Sequence, residues 1–212
     1  MCAWRRNFEV FFVFVQMDGQ KREVDDPDVE LMLRVRRGDE AAFRKLFALY
    51  AGPLVGFVDR FFYNRAIAEE VVQEVFLKVF RARRSYKPKA KFTTWLYTIA
   101  TRTALNELRR GVYRNKIEGL SGKDAQDLAG PDPAAEETLA GKELAGTVEA
   151  VLRQLPDNQR AAFLLVRFGG RSYSEVASIL GISVSAVKSV VFRATEAVRS
   201  SLEQGKKKEG GS

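Results

Sequence analysis

The stretch from Ser172 to Val198, SYSEVASILGISVSAVKSVVFRATEAV, decides the fold of the C-terminal part of the chain. Ser172 and Glu175 have capping-box spacing, which lets the serine hydroxyl and the glutamate carboxylate satisfy the free amides that begin a helix. Gly181 is placed to turn the chain, and Ser183 is placed to cap a second helix. A short helix, a glycine turn and a second helix predict a helix-turn-helix.

The second helix of this motif has two chemically different sides. Apolar residues at helical spacing form a stripe that must face a core: Val187, Val191, Ala194 and Val198. The opposite side carries hydroxyls, cations and an aromatic ring: Ser185, Lys188, Ser189, Phe192 and Arg193. These residue types suit a helix that lies in a DNA major groove. The alternative is an ordinary helix pair with a solvated polar face, against which the capping box, the turn glycine and the basic face all argue.

The length of the chain limits the number of its domains, and its charge limits the kinds of partner it can bind. The protein has 212 residues and a formal net charge of +8, and 46% of its residues are hydrophobic. This length suits one large domain or two small ones that bury a core. A positive surface potential favours nucleic acid or an anionic membrane as a partner, and charge by itself does not separate the two.

Two absences in the composition exclude several kinds of active site. The chain has no histidine, which excludes a Ser-His-Asp or Cys-His nucleophile system, a His-ligated zinc and a histidine general base. Its single cysteine, Cys2, cannot form an internal disulfide, which suits a reducing cytoplasm. The sequence carries no glycine-rich phosphate-binding loop, and neither a cofactor nor a metal is expected.

Residues 1–24 are predicted to form an N-terminal extension outside the folded domains. Met1 to Val15 superficially resembles a secretory signal, but its apolar run, Val10 to Val15, falls far short of the roughly 20 residues that a membrane span needs. No small-residue cleavage site follows it. The remaining alternatives are a β-prone extension and a start codon assigned too early, with Met17 as the true start.

Helical periodicity predicts a first domain at residues 25–110. An acidic start with an early proline, Asp26-Pro27, opens a short helix. Asp39 caps the second helix, which is expected to be interrupted near Gly52-Pro53 and then to resume. The third and fourth helices are predicted at about 66–83 and 92–110. The loop between them, Arg84 to Lys91, is rich in lysine and contains a proline that stops any helix.

Composition divides the second half of the chain. Residues 111–133 are rich in Gly, Ser, Asp and Pro and predict a flexible linker. Residues 134–204 carry amphipathic segments, and one helix opens at Pro156. The tail at 205–212 is charged and glycine-rich and is predicted to be disordered. Because no strand pattern of useful length follows residue 24, the fold class is expected to be all-α, with two small helical domains.

Four ordered blocks of sequence resemble the bacterial extracytoplasmic-function (ECF) sigma factors of the sigma-70 family. The blocks are GDEAAFRKLFALY at 38–50, AEEVVQEVFLKVFRA at 68–82, KFTTWLYTIATRTALNELRR at 91–110 and LPDNQRAAFLLVRFGGRSYSEVASILGISVSAVKSVVFRA at 155–194. The resemblance implies a sigma-2-type four-helix domain and a sigma-4-type helix-turn-helix domain. It also implies a specificity subunit of RNA polymerase rather than an enzyme.

The resemblance further implies a role for each block. In such factors the AExxVQExF helix docks on the clamp helices of the beta-prime subunit of core RNA polymerase, and the beta flap is the expected partner of the second domain. The core-polymerase candidates are Glu70, Gln73, Glu74 and Phe76. The alternative is a core helix with a solvated acidic edge, and Phe76 shares the apolar stripe of that helix.

The loop from Arg84 to Lys91 and the helix after it match the part that opens and reads the minus-ten promoter element as single-stranded DNA. Such reading requires a pocket, stacking aromatics and cations for the backbone. The minus-ten candidates are Tyr86, Lys87, Lys89, Lys91, Trp95, Tyr97, Arg102, Asn106, Arg109 and Arg110. For Trp95 the alternative is a plain core tryptophan.

The helix-turn-helix matches the part that contacts the minus-thirty-five element. Its candidates are Arg167, Ser185, Lys188, Ser189, Phe192 and Arg193, and Arg167 taken alone is an ordinary surface arginine. Relatives often carry Arg-Asn where Thr101-Arg102 stand and Asp where Asn106 stands, so base preference does not carry over. Val190 stands where relatives commonly carry arginine, which predicts one missing DNA contact.

These observations predict a sigma factor that binds core RNA polymerase, recognises the minus-thirty-five and minus-ten elements and promotes DNA melting. It is expected in the cytoplasm, with promoter DNA and an anti-sigma factor, soluble or membrane-held, as further partners and with no small-molecule substrate. The first rival is a repressor or activator that works without polymerase, which leaves the blocks at 68–110 unexplained. The second is a nucleic-acid-processing enzyme with magnesium on Glu69, Glu70 and Glu74, for which no partner acidic cluster appears.

Overall fold

The structure, a computed structural model, describes the backbone of residues 26–117 and 139–209. The described residues form eight α-helices and one 3-10 turn, and they contain no strand. The helices are α1 Pro27–Arg36, α2 Glu40–Phe62, α3 Arg65–Ala82, α4 Phe92–Ile117, α5 Leu139–Gln154, α6 Asp157–Arg167, α7 Tyr173–Leu180 and α8 Val184–Glu209, with the 3-10 turn at Arg83–Ser85. The all-α prediction is confirmed within these ranges. The predicted extension at 1–24 lies outside the described residues.

Side chains that precede each helix fix where the first three helices begin. The Asp26 carboxylate accepts from the Asp28 amide at 3.1 Å, and the Asp39 carboxylate accepts from the Ala42 amide at 3.0 Å. Asn64 caps α3 in the same way, through the Ile67 amide at 3.1 Å. Each cap satisfies an amide that has no partner within its helix.

The predicted interruption of α2 near Gly52-Pro53 is wrong, because this helix is continuous from Glu40 to Phe62. Pro53 faces solvent, where water can serve the carbonyl that loses its helical partner. The apolar stripe continues past it through Leu54, Phe57 and Phe61, which are all buried. Packing of that stripe therefore outweighs the local cost of the proline.

The helix is also long and apolar enough to cross a membrane, with a mean hydropathy of 1.3, but one face of it fills the core of the first domain.

Two helices run further than their sequence boundaries predict. Helix α4 continues to Ile117, so the first residues assigned to the linker at 111–133 are helical, and residues 118–138 lie outside the described ranges. Helix α8 continues to Glu209, so the tail predicted to be disordered from Gly205 is helical through GKKKE. The lysines and the glutamate of that tail have high helix propensity, which offsets the low helix propensity of its one glycine.

Each domain is built around a short set of fully buried side chains. In the first domain, α2 packs on α1, α3 and α4, and its core includes Met32, Leu46, Phe57, Val75 and Leu96. In the second, α5 to α8 enclose Leu152, Leu164, Leu165, Val176 and Val187. The two domains also contact each other, because α4 packs on α7 and α2 touches α6.

Candidate polymerase and nucleic-acid interfaces

The helix-turn-helix forms from the local signals that predict it. Ser172 Oγ accepts from the Glu175 amide at 3.2 Å, and a Glu175 carboxylate oxygen accepts from the Ser172 amide at 2.9 Å, which completes the capping box. Gly181 ends α7 with a φ of +69°, a left-handed conformation that favours glycine. Ser183 Oγ accepts from the Ala186 amide at 3.1 Å and starts α8. The two helices meet at an angle of 103°, as a helix-turn-helix requires.

The outer face of α8 is exposed as its sequence predicts. Val187, Val191 and Ala194 are buried, while the candidate DNA contacts on the other side are exposed: Ser185, Lys188, Ser189, Phe192 and Arg193. Phe192 is 66% exposed, although large apolar side chains are more often buried. An exposed aromatic beside two cations is a combination that suits base contacts in a groove.

Val184 adds an exposed apolar group beside this face, whereas Val190 is not one of its exposed residues. Val184, at the start of α8, is an exposed apolar side chain that the residue pattern did not single out. Its position one turn before Lys188 is the signal that places it on the same face. Val190 is half-buried and packs against the core, so this position is a packing site rather than an exposed one.

Arg167 differs from the other candidates of the second domain. It lies in the last turn of α6 and is half-buried. Burial lowers the pKa of its guanidinium, and the nearby Tyr173 offsets only part of that effect. The structure therefore does not place Arg167 on the exposed face that carries Lys188 and Arg193.

The exposed face of α3 carries three of the four core-polymerase candidates. Glu70 and Gln73 are exposed, and Glu74 is half-buried and pairs with Lys78 at 2.8 Å. Phe76 is only 3% exposed, so its inclusion as a direct contact is wrong. Its ring packs on Phe47, with ring centroids 4.7 Å apart. Phe76 therefore supports α3 from the core side.

One residue of this face was missed by the sequence interpretation. Leu77 is 54% exposed and follows Glu70, Gln73 and Glu74 at helical spacing. The spacing i, i+3, i+4 and i+7 from Glu70 would have found it. An exposed leucine next to polar groups adds apolar area at one end of this face, and protein interfaces commonly combine apolar and polar groups.

The basic loop and the start of α4 surround a cavity of about 420 Å³. Its lining combines ammonium groups, hydroxyls and an indole: Lys87, Lys89, Thr94, Trp95, Thr98 and Ser178. Trp95 is half-buried, so it lies between the two alternatives, a tryptophan that stacks on DNA bases and a plain core tryptophan. Ammonium and aromatic groups are the types that bind phosphates and stack on bases in sites for single-stranded nucleic acid.

Both minus-ten tyrosines are buried, and Tyr86 also lines the cavity, so their contact with unpaired bases stays a prediction. The side chain of Tyr86, which belongs to the loop, is buried, and its ring lies edge-on to that of Trp95 with ring centroids 4.8 Å apart. Burial raises the pKa of the Tyr86 hydroxyl to about 12. Tyr97 packs on Phe57 at 5.1 Å and is covered by the guanidinium of Arg171 at 4.8 Å. Burial likewise raises the pKa of Tyr97. Aromatic identity alone does not distinguish a stacking side chain from a packed one.

The remaining minus-ten candidates are exposed. Lys87, Lys89 and Lys91 lie on the loop, and Lys91 pairs with Glu175 of α7 at 3.6 Å. The structure also brings four polar candidates to one side of α4: Arg102, Asn106, Arg109 and Arg110. Among the residues that the structure describes, no group of three or more His, Cys, Asp or Glu side chains is placed to hold a metal ion.

Two family models match the chain, and they divide it as the two domains do. The model for sigma-70 region 2 matches residues 46–112, and that for sigma-70 region 4 matches residues 146–198. The RNA polymerase sigma-H factor of Pseudomonas aeruginosa is 33% identical over 84% of this chain and 95% of its own length. The ECF RNA polymerase sigma-E factor of Escherichia coli strain K12 is 33% identical over 81% of this chain and 92% of its own. The chain belongs to the ECF sigma factors of the sigma-70 family.

Solved structures agree with this family. CnrH, solved in complex with the cytosolic domain of CnrY, superposes with a TM-score of 0.63 at 25% identity and covers 84% of this ECF sigma factor and 99% of its own chain. The sigma factor RpoE of Bartonella quintana, solved with the anti-sigma factor NepR, gives a TM-score of 0.62 at 24% identity over 76% of this chain and 96% of its own, which supports the fold. The protein is therefore an alternative sigma factor that acts with RNA polymerase on promoter DNA at transcription initiation.

Proposed function

We propose that each surface described above has a separate partner during initiation. The exposed face of α3, with Glu70, Gln73, Glu74 and Leu77, binds the clamp helices of the beta-prime subunit. The loop and the outer side of α4 bind the opened minus-ten element. The outer face of α8 binds the minus-thirty-five element, and the second domain docks on the beta flap. The observation that carries the proposal is that a cationic helix-turn-helix face and a lysine-lined cavity occur in one chain with an exposed polar face on α3.

The polymerase contact is argued from the chemistry of α3. Glu70 and Gln73 are exposed, and Leu77 supplies apolar area at the end of the same face. Burying an exposed leucine contributes about 1.5–3 kcal/mol when the contact is complete. The sigma factor supplies no catalytic groups in this proposal, and the polymerase performs the chemistry.

The DNA contacts divide between the cavity and the helix-turn-helix. Trp95 offers an indole edge and Lys87 and Lys89 offer phosphate contacts around a cavity that accommodates one unpaired base. On α8, Lys188 and Arg193 reach outward to base edges or phosphates, and Phe192 and Val184 offer apolar contact to thymine methyl groups. We place the protein in the cytoplasm, where polymerase works, and infer an anti-sigma partner because both structural neighbours were solved with such a partner or with a cytosolic domain bound.

The test uses core RNA polymerase and a duplex library randomised across the promoter positions upstream of the start site. Polymerase with the protein should transcribe a subset that shares an upstream and a downstream element, while polymerase alone should not. Failure of the protein to bind core polymerase would contradict the proposal. DNA binding without polymerase binding would favour the repressor or activator instead.

Leu77→Ala gives a local test, with Leu49→Ala as its matched control. Leu49 is 49% exposed on α2, comparable to Leu77 at 54%, but it lies off the proposed face. We expect Leu77→Ala to weaken polymerase binding about tenfold, equivalent to roughly 1.4 kcal/mol, and Leu49→Ala to leave it unchanged. Equal losses of polymerase affinity in the two variants would contradict the assignment of this face of α3 to polymerase binding.

A further inference from the structure

The side of the first domain where α2 meets α3 exposes a connected set of apolar side chains. Phe47 is 42% exposed, Leu77 is 54% exposed and Phe80 is 38% exposed. Ring contacts join the two helices here, because Phe43 lies 5.2 Å from Phe80 and Phe47 lies 4.7 Å from Phe76 between ring centroids. Leu77 is three residues before Phe80 and is therefore its neighbour on α3. We call these five residues the apolar face of α2 and α3.

The clustering of these side chains distinguishes them from ordinary exposed hydrophobic residues. Apolar side chains that are exposed singly are normal on a soluble protein, whereas contiguous ones mark a surface that binds a partner. The guanidinium of Arg83 covers the ring of Phe80 at 3.8 Å, and Phe80 still stays partly exposed. The apolar face therefore calls for a further apolar partner.

The beginning of the chain has the matching composition. The stretch from Trp4 to Val15, WRRNFEVFFVFV, has five aromatic residues among its twelve and also three valines. Burying one phenylalanine side chain contributes about 1.5–3 kcal/mol, so several of them favour contact with an apolar surface over water. We call this stretch the aromatic segment. None of the surfaces assigned above to polymerase or DNA includes it.

The connection between the aromatic segment and the folded domain is long enough to reach the apolar face. Asp28, at the start of α1, accepts a hydrogen bond from the Tyr50 hydroxyl, so the chain enters the domain beside α2. Tyr50 is seven residues after Phe43 on that helix, a separation of about 10 Å along its axis. Residues 16–25 span up to about 33 Å when extended. The aromatic segment can therefore contact the face without strain in the connection.

Charges at the two sites are complementary. Arg5 and Arg6 lie near the start of the aromatic segment, before its run of phenylalanines and valines. On α3, Glu70 and Glu74 precede Leu77 by seven and three residues, which places them on the same side of the helix. An exposed ion pair contributes only about 0–1 kcal/mol, so the arginines set the orientation of the segment more than its affinity.

We propose that the aromatic segment docks on the apolar face of α2 and α3 in the free protein, with Arg5 and Arg6 beside Glu70 and Glu74. Because the segment belongs to the same chain, its effective concentration at the face is on the order of millimolar, and a weak contact suffices to hold it there. The docked segment covers Leu77. Polymerase therefore has to displace it, a consequence that rests on the proposed function, in which this end of α3 binds the clamp helices.

The natural cysteine allows a direct test in the full chain. Cys2 is the only cysteine, so a benzophenone attached to its thiol carries a photo-crosslinker to the start of the aromatic segment without any substitution. The purified protein is irradiated without polymerase, and the cross-linked peptides are identified by mass spectrometry. We expect cross-links concentrated in residues 43–49 and 76–83, with a yield that does not depend on protein concentration because the contact lies within one chain.

Variants on both sides of the contact sharpen the test. The double variant Phe11→Ser, Phe12→Ser should lower the cross-link yield at least threefold, and Gln16→Ser, Gln20→Ser is its control. Leu77→Glu should lower the yield to a similar extent because it places a charge in the apolar face. Leu49→Glu is the matched control, since Leu49 is 49% exposed on α2 but does not belong to that face.

The same double variant measures the consequence for polymerase. Loss of Phe11 and Phe12 weakens the competing segment and leaves the α3 face unchanged. We therefore expect Phe11→Ser, Phe12→Ser to bind core polymerase at least threefold more tightly than the wild-type chain.

Three results would overturn the inference. The cross-links would map to other parts of the chain, their yield would stay the same in both Phe11→Ser, Phe12→Ser and Leu77→Glu, or they would join two copies and increase with protein concentration. Cross-links that behave as expected, together with an unchanged polymerase affinity in the double variant, would support the docking. That combination would instead contradict the assignment of Leu77 to polymerase binding in the proposed function.

Discussion

The Nη2 atom of Arg160 donates a hydrogen bond to the backbone carbonyl of Phe61, across the boundary between the two domains. Phe61 lies at the end of α2, a 23-residue helix that fills the core of the first domain, and Arg160 belongs to the helix-turn-helix domain. Burial lowers the pKa of the Arg160 guanidinium, which reflects the desolvation that this contact must offset. The end of α2 therefore depends for its hydrogen bonding on the other domain.

Arg160→Met should lower the free energy of unfolding by about 1.5–3 kcal/mol, because hydrogen bonds from a charged donor to buried carbonyls are lost. Urea denaturation followed by tryptophan fluorescence measures the change. Arg153→Met is the control, since Arg153 is exposed, covers the Tyr63 ring at 4.7 Å and pairs with Glu149 of its own helix at 2.6 Å, without bonding to the end of α2. Equal losses for the two variants would contradict a special role for Arg160.

Tyr86→Phe should raise the free energy of unfolding by about 1 kcal/mol. The Tyr86 hydroxyl is buried and has no hydrogen-bond partner among the residues that the structure describes, so removing it removes a desolvation cost. Tyr50→Phe is the opposite case, because the Tyr50 hydroxyl donates to the Asp28 carboxylate, and its loss should cost about 1.5–3 kcal/mol. Thermal and urea denaturation of both variants check the two signs, and a loss for Tyr86→Phe would mean that the hydroxyl has a partner.

Gly181→Ala should destabilise the second domain by about 1–2 kcal/mol, because Gly181 has a φ of +69° and a left-handed alanine is strained. Gly146→Ala should instead stabilise it by about 0.5–1 kcal/mol, since Gly146 lies within α5 and a Cβ there meets nothing within 4 Å. The melting temperatures of both variants test the pair. The same sign for both would refute the assignment of Gly181 as a conformational requirement.

Lys188→Ala and Arg193→Ala should each weaken binding to the upstream promoter element by about 1–3 kcal/mol if they contact base edges. Binding to core polymerase should stay unchanged. Arg199→Ala removes the same charge further along α8, from an arginine 3.8 Å from Glu196, and serves as the control. If all three variants lost the same affinity with DNA of any sequence, the effect would be general electrostatics and not groove recognition.

Stability should fall in acid partly through Glu175. Burial pushes its pKa up, but hydrogen bonds from Ser172 and the charges of Arg171 and Lys91 outweigh burial, so the pKa lies below its ordinary value of 4.5. A carboxyl group with a lowered pKa stabilises the folded state above the unfolded pKa, and this contribution disappears as pH falls through the folded pKa. Glu175→Gln keeps a capping-box acceptor without the charge, so its free energy of unfolding should depend less on pH below about 4.5. Unchanged acid dependence in this variant would contradict the assignment.

The helix-turn-helix could be predicted residue by residue because its determinants are local. The capping box, the turn glycine and the Ser183 cap each join residues within a few positions of one another. The exposed and buried sides of α8 follow from helical spacing alone. The same holds for the face of α3, where that spacing also reaches Leu77.

Tertiary packing decided the features that the sequence did not predict. The buried stripe of α2 carries the helix through Pro53, and burial turns Tyr86, Tyr97 and Phe76 into core residues although their types also suit surface contacts. The Arg160 contact to Phe61 joins residues 99 positions apart, which no local pattern encodes. Such contacts become visible only when the domains are seen together.

Gly169, in the turn after α6, connects the local geometry of one domain with its contact to the other. A Cβ at this position would lie 2.7 Å from the Leu165 carbonyl oxygen and 3.2 Å from Cε1 of Tyr97. The first neighbour is backbone of the same domain, and the second is a ring of the opposite domain. A single codon change that adds one methyl group would therefore disturb both at once, so one glycine serves both the turn after α6 and the fit between the two domains.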